Sequence, residues 1–257
     1  MKNVYKMILI AASTSVLFAC GSSGSGSGAT GPSTDGTTGG TSGGTTTPVN
    51  SVFQGAKMYD GVAAGTATYD AAKAKYTYNF NGTEIDVTSR GITAGTVVDM
   101  TVGGNKQMIG GTTYAYSRFG AIGSVGDLNA TDVFYVGQKT VNMPASGVAV
   151  YKGLMIGAAD CNCVNIVGFN YGSVSFDVNF DAKTISGKSE NGTRFEKAPI
   201  SGNSFAGKLS DDGDSSAGGN YSGAFFGPTA EELGGIGKFI DADGSANAAF
   251  SFGAKKQ

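Results

Sequence analysis

The sequence predicts an all-β protein: a β-rich domain, then an antiparallel barrel, both behind a disordered tether of glycine, serine and threonine. Three observations lead there. Past residue 50 the apolar residues alternate with polar ones in short runs, as Val174, Phe176, Val178 and Phe180 do against Ser175, Asp177 and Asn179. Turn signals such as Asn81-Gly82, Asp181-Ala182-Lys183 and Asn191-Gly192 separate the runs. No helix longer than about two turns can be read after the leader.

Composition sets the outer limits. Glycine accounts for 43 of 257 residues, far above the ordinary ~7%, and only part of the excess lies in the tether. The rest punctuates short strands. Charged residues make up 15% and the formal net charge is -2, so no electrostatic footprint for a phosphate backbone exists and nucleic acid is not an expected partner. Histidine is absent. Its absence removes Ser-His and Cys-His catalysis, the usual catalytic zinc sites and haem on a proximal imidazole. Tryptophan is missing too, while 11 Tyr and 15 Phe supply the rings a small barrel needs.

Residues 1–19 read as a signal peptide: Lys2 and Lys6 precede an apolar run over 7–19, too short to cross a bilayer as a stable helix. The run ends in Leu17-Phe18-Ala19-Cys20, which resembles a bacterial lipobox, with a bulky Phe18 at its position. Cys20 would then become the lipidated N-terminus; a plain secretory signal with a stray cysteine is the alternative. Ser22 resembles the residue found in lipoproteins sorted to the outer membrane. Residues 20–50 cannot bury apolar area and are expected to stay disordered, with an r.m.s. reach of ~30 Å. A lipidated cysteine followed by such a spacer holds a domain off a membrane.

Residues 51–144 form the first folded domain of the prediction. Tyr76, Tyr78 and Phe80 alternate with Thr77 and Asn79, Asn81-Gly82 turns the chain, and Ile85 and Val87 return. Further strands are expected over 97–102, 112–119 and 134–136. Proline and glycine then cluster through Met143-Pro144 and place a boundary near Ala145. Residues 145–257 supply about eight strands, including 173–180, 184–188, 193–197 and 204–209. An up-and-down barrel would remove the exposed edges; a sandwich is the alternative, because strand counting cannot detect closure.

The stretch over 220–235 organises this second domain. Tyr221, Gly223 and Phe225 alternate with Ser222, Ala224 and Phe226, and Gly227-Pro228 ends the strand. Pro228, Glu231-Glu232 and Gly234-Gly235 match the start and stop signals of one helical turn, with Leu233 plugging the end of the sheet. This stretch, the connector over 134–153 and the terminal run over 249–256 resemble the transferrin-binding-protein-B-like surface lipoproteins. The resemblance implies a β-rich handle domain over 51–144 and an eight-stranded antiparallel barrel over 145–257, lipid-anchored at the bacterial outer membrane and exposed at the cell surface. It also implies kinship with hemophilin and complement-resistance lipoproteins, exported by a dedicated surface-lipoprotein translocator. The implied function is capture of a host protein that carries iron or haem, for a TonB-dependent receptor, with no cofactor and no enzymatic activity. Alternatives are immune evasion or adhesion through a complement regulator, and direct haem binding, for which iron would need a tyrosine or methionine, for instance Tyr116 or Met58.

Four groups of residues are candidate sites. Cys161 and Cys163 could close a small disulfide ring in a hairpin tip, hold a metal or stay reduced; with no histidine nearby, the disulfide is favoured. Asp211, Asp212 and Asp214, and Asp241 with Asp243, lack the alternate ligands and closing glutamate of a calcium loop and read as solvated tips. Glu231 and Glu232 read as helix N-terminal residues rather than as a catalytic pair. Tyr114, Tyr116 and Arg118, placed on one strand face by alternation, are the candidate ligand-binding residues, since tyrosine and arginine favour buried anchor positions; a half-exposed strand that only packs on its neighbours is the alternative.

Overall fold

The computed structural model describes residues 53–54, 56–57, 65–88, 97–124, 127–159, 169–213, 218–240 and 246–257. Cys20, Met58, Cys161, Cys163, Asp214, Asp241 and Asp243 lie outside the described residues, as do the leader and tether. Among the described residues nine strands precede the connector: β1 (Phe53–Gln54), β2 (Ala56–Lys57), β3 (Thr66–Asp70), β4 (Lys75–Phe80), β5 (Thr83–Asp86), β6 (Val97–Val102), β7 (Asn105–Gly110), β8 (Ser117–Ser124) and β9 (Asp127–Gly137). Eight follow it: β10 (Val148–Ala159), β11 (Phe169–Asn179), β12 (Thr184–Ser189), β13 (Thr193–Ser201), β14 (Ser204–Asp211), β15 (Gly218–Phe226), β16 (Glu232–Ile240) and β17 (Ala246–Lys256).

The first nine strands make two sheets, β1-β3-β4-β5 and β2-β9-β8-β7-β6, and the last eight make a closed barrel. Closure is direct: β10 pairs with β17 from Tyr151↔Lys256 to Ala159↔Ala248, which removes the sandwich alternative. The hairpin at Asn81-Gly82 forms as expected, with φ of 48° and 82° at its two central residues, the left-handed pair that a type I′ turn needs.

Alternation explains the layering. Along β9, Val133 and Tyr135 point to one side and Phe134 and Val136 to the other. The first pair joins Phe119, Ala121, Ile156, Phe226 and Ala249 against the outer wall of the barrel. The second joins Tyr76, Tyr78 and Phe80 of the four-stranded sheet. The five-stranded sheet is thus buried on both faces, which is why β8 carries apolar or small residues almost throughout.

The barrel interior is filled with rings. Phe195 lies with its ring centroid 4.8 Å from Phe176 and 5.1 Å from both Tyr221 and Phe252, mostly edge-to-face. These rings rest on glycines: a Cβ on Gly235 would sit 2.4 Å from the Phe252 ring, and one on Gly223 would sit 2.5 Å from Phe205. Much of the glycine excess is therefore a packing device. It makes room for rings inside a narrow barrel.

Two local expectations fail. Residues 112–116 form a turn rather than strand, and β8 begins only at Ser117, so alternation does not apply to Tyr114 and Tyr116. The backbone amide of Tyr114 instead donates to the Gly111 carbonyl across that turn, at 2.9 Å. Residues 227–230 are also a turn, not a helix, and Glu232 and Leu233 open β16. Proline and two glutamates suit a helix start, but Ala230 takes φ 65°, which stops a right-handed helix, and pairing with β15 and β17 claims the residues from Glu232 onward. Leu233 is fully buried, so its role as a plug survives the change of element.

Candidate functional site: the handle–barrel joint and the connector groove

The first nine strands and the barrel meet around Glu232. Its side chain points out of the barrel and accepts hydrogen bonds from the Ala115 amide at 2.7 Å, the Tyr116 amide at 3.1 Å and the Ser117 hydroxyl at 2.8 Å. The turn over 112–116 is what aims two successive amides at it. Burial pushes the Glu232 carboxyl above its ordinary range, and these donors together with Arg118 only partly offset that cost. Tyr114 donates its hydroxyl to the Gly253 carbonyl at 3.2 Å, in the barrel wall. Arg118 is buried; Nη1 donates to the Tyr114 and Ser117 carbonyls, and the guanidinium stands 5.0 Å over the Tyr76 ring.

The structure therefore brings Tyr114, Tyr116 and Arg118 together, but at the joint. Tyr114 and Tyr116 are half-buried there, and the three do not share a strand face. Asp211 and Asp212 lie at a hairpin end, where Asp212 pairs with Arg194 and Asp211 accepts from the Gly213 amide. Sequence reasoning missed the role of Glu232, because its partners lie more than a hundred positions upstream. It also missed Asp132, fully buried in β9, whose Oδ2 accepts from the Tyr78 hydroxyl at 2.7 Å and the Gly65 amide at 3.0 Å. One signal was there to use: a carboxylate placed beside the apolar run of Val133, Phe134 and Tyr135 needs a buried donor.

The connector over 138–147 leaves an open groove beside the joint. The Thr140 amide donates to the Phe225 carbonyl, Asn203 Nδ2 donates to the Thr140 carbonyl, and the Gly147 amide donates to Asp181 Oδ2. Gly147 sits at φ 99°, a conformation that admits glycine and few other residues. The groove has a volume of about 580 Å³ and is lined by Val141, Met143, Pro144, Phe180, Lys183 and Ile200 among others. A second recess of about 400 Å³ lies on the barrel wall, with Val148, Val150, Asp177 and Lys197 in its lining. Val141 and Val148 are each 75% exposed, and Val150 is 41% exposed. Apolar centres with charged margins have the composition of a protein-recognition surface.

A handle of two sheets packed on a filled eight-stranded barrel defines the class: an all-β protein whose interior is taken up by its own rings and whose recesses lie on the outside. Comparison with known proteins places it more closely. Residues 143–256 match the family described as the C-lobe and N-lobe beta barrels of Tf-binding protein B. The fold is similar to transferrin binding protein B from Haemophilus parasuis, in a mutant crystal structure, at 20% identity and TM-score 0.57, covering 77% of this chain and 47% of that one. It is similar to the isotype 1 protein of serogroup B Neisseria meningitidis at 22% identity and TM-score 0.56, covering 75% and 41%. An intact Ap-TbpB structure with both N and C lobes matches at 20% identity and TM-score 0.55, covering 77% and 48%. This chain thus has a transferrin-binding-protein-B-like fold and spans less than half the length of each of those structures. No curated protein matches it.

Proposed function

We propose that this chain is a surface lipoprotein, anchored through Cys20 to the bacterial outer membrane, that binds a host protein of the transferrin type for nutrient acquisition. The observation that carries the reading is the fold: one handle-and-barrel unit, similar to somewhat under half of a two-lobed transferrin binding protein B. The filled barrel supports it, because a core of rings packed on glycines leaves recognition to the outside. Binding rather than catalysis fits a chain with no histidine and with its buried carboxylates already engaged in the joint and the handle. The connector groove and the exposed Val141, Val148 and Val150 are the surface we assign to the host protein.

The test is capture. Full chain immobilised through its tether should retain a transferrin-type protein from host serum, and replacing Val141 and Val148 by glutamate should cut retention at least ~10-fold without changing the fold. Retention of no such protein, or retention indifferent to both substitutions, refutes the function or the surface respectively.

A further inference from the structure

The outer wall of the barrel carries a row of cations that the proposed host-protein surface does not use. Strand register puts Lys255 opposite Lys152, Lys152 opposite Ser175, Ser175 opposite Lys188, and Lys188 opposite Arg194. The five residues form one continuous rung across β17, β10, β11, β12 and β13. All five point outward, because their neighbours Tyr151, Phe176, Phe195 and Ala254 fill the interior. At about 4.8 Å per strand the rung is ~19 Å long. The four cations are exposed, while Ser175 lies half-buried among them.

Such a row is costly. Like charges directly opposite one another on neighbouring strands destabilise a sheet, and this rung contains two such pairs, Lys152 with Lys255 and Lys188 with Arg194. A solvated face could hold any polar residue there, and the chain as a whole is acidic. Arg194 pairs with Asp212, but neither Lys152, Lys188 nor Lys255 ion-pairs with any described carboxylate. Lys255 stands opposite Glu232 in register, but for Lys152 and Lys188 no ion pair among the described residues offsets the like-charge contact, and a local rule broken in this way marks a place where the compensation comes from a ligand.

We propose that this rung binds a linear anionic polysaccharide, a chain bearing sulfate or carboxylate groups at intervals of one to two strand spacings. Three features select that class. Between Lys152 and Lys188 lies a shallow groove of about 330 Å³ that holds Ser175, a small hydroxyl residue suited to sugar hydroxyls, with Glu190 at one end, where its carboxylate accepts from the Ser173 hydroxyl at 2.6 Å. The rung is one residue wide: Asp177 and Glu196 border it on one side, Glu190 and Asp212 on the other, all exposed. A single anionic chain passes between those carboxylates, whereas a broad anionic membrane surface meets them. No aromatic side chain stands on the rung to stack a base, which is the usual device for single-stranded nucleic acid.

The experiment uses the full chain and labelled dextran sulfate, polygalacturonate and uncharged dextran of matched length, followed by fluorescence anisotropy at increasing salt. One or both anionic polymers should bind, uncharged dextran should not, and affinity should fall steeply with salt as bound counterions are released. Lys152→Glu and Lys188→Glu should each weaken binding at least ~10-fold, while Lys208→Glu, an exposed lysine on β14 just beyond the Arg194 end of the rung, should change it less than about twofold. Absence of binding to both anionic polymers overturns the proposal. So does equal loss in Lys208→Glu, which would mean that only overall charge matters. Equal affinity for oligodeoxythymidine or phosphatidylglycerol vesicles, lost with the same two substitutions, would overturn the polysaccharide assignment and keep a polyanion site of another class.

Discussion

At the scale of single residues, Glu232 is the side chain on which the joint turns. Three donors converge on its carboxylate, and truncation to alanine would leave the buried Ser117 hydroxyl and the partly buried Ala115 and Tyr116 amides without this partner. Glu232→Ala should cost about 3 kcal/mol in denaturant unfolding. Its pH dependence has an unusual sign. The folded carboxyl is held above its ordinary value of 4.5, so the folded state takes up a proton more readily than the unfolded chain. Stability from this group is therefore fully present below the unfolded pKa and falls as pH rises through the folded one, the reverse of a salt-bridged carboxylate. Glu232→Gln should flatten that part of the stability profile while keeping most of the joint. A wild-type profile that climbs through the same window, and still climbs in Glu232→Gln to the same extent, would show that Glu232 is not the group responsible. Asp132 makes the companion case in the handle. Tyr78→Phe removes its hydroxyl donor and should destabilise by about 2 kcal/mol, with the Gly65 amide left as a remaining partner.

At the scale of elements, glycines divide into two kinds whose substitutions should behave differently. Gly82 needs its positive φ of 82° for the β4–β5 turn and has open space around it, so Gly82→Ala should cost only backbone strain, about 1 kcal/mol. Gly153 has ordinary backbone geometry but faces the Gly253 carbonyl oxygen, 2.0 Å from where a Cβ would stand. Gly153→Ala must push two paired strands apart and should cost several times as much, about 3 kcal/mol, at the strand pair that closes the barrel. Equal effects at the two positions would refute this division. The same distinction shows what could be read in advance. Strand periodicity and Asn-Gly turns are local signals, and β4 with β5, β6 and β11 through β14 follow them closely. The turn over 112–116 and the non-helical start of β16 are decided by partners far along the chain. Pro228 and the paired glutamates carry a true local preference for helix, and the β15–β16–β17 ladder overrides it. Tyr114, Tyr116 and Arg118 were legible as a cluster with anchor chemistry, and what sequence could not supply was the surface they anchor: the chain's own barrel. The cation rung was invisible because its members lie on five strands and become neighbours only through register.

At the scale of the whole molecule, the question is whether handle and barrel are separable. The five-stranded sheet covers Ile156, Phe226 and Ala249 on the outer barrel wall, and Phe119 lies over Gly253, where a Cβ would come within 2.3 Å of its ring. Phe226 likewise lies over Gly137, and the connector is bonded to the barrel at Phe225 and Gly227. A barrel cut free at residue 143 would expose this apolar wall together with the unmet carboxylate of Glu232. Burial of several large side chains at ~25 cal/mol per Å² outweighs any single hydrogen bond here, so the joint should couple the two parts into one cooperative unit. The full chain should then unfold in a single denaturant transition, coincident by tyrosine fluorescence and far-ultraviolet circular dichroism. The fragment over 143–257 should unfold at a distinctly lower midpoint and bind an apolar dye that the full chain excludes. Two separated transitions in the full chain, with the fragment matching the later one, would mean that the joint is a weak docking contact. In that case substitutions at Glu232 should shift only the earlier transition, which makes the two accounts distinguishable from one set of curves.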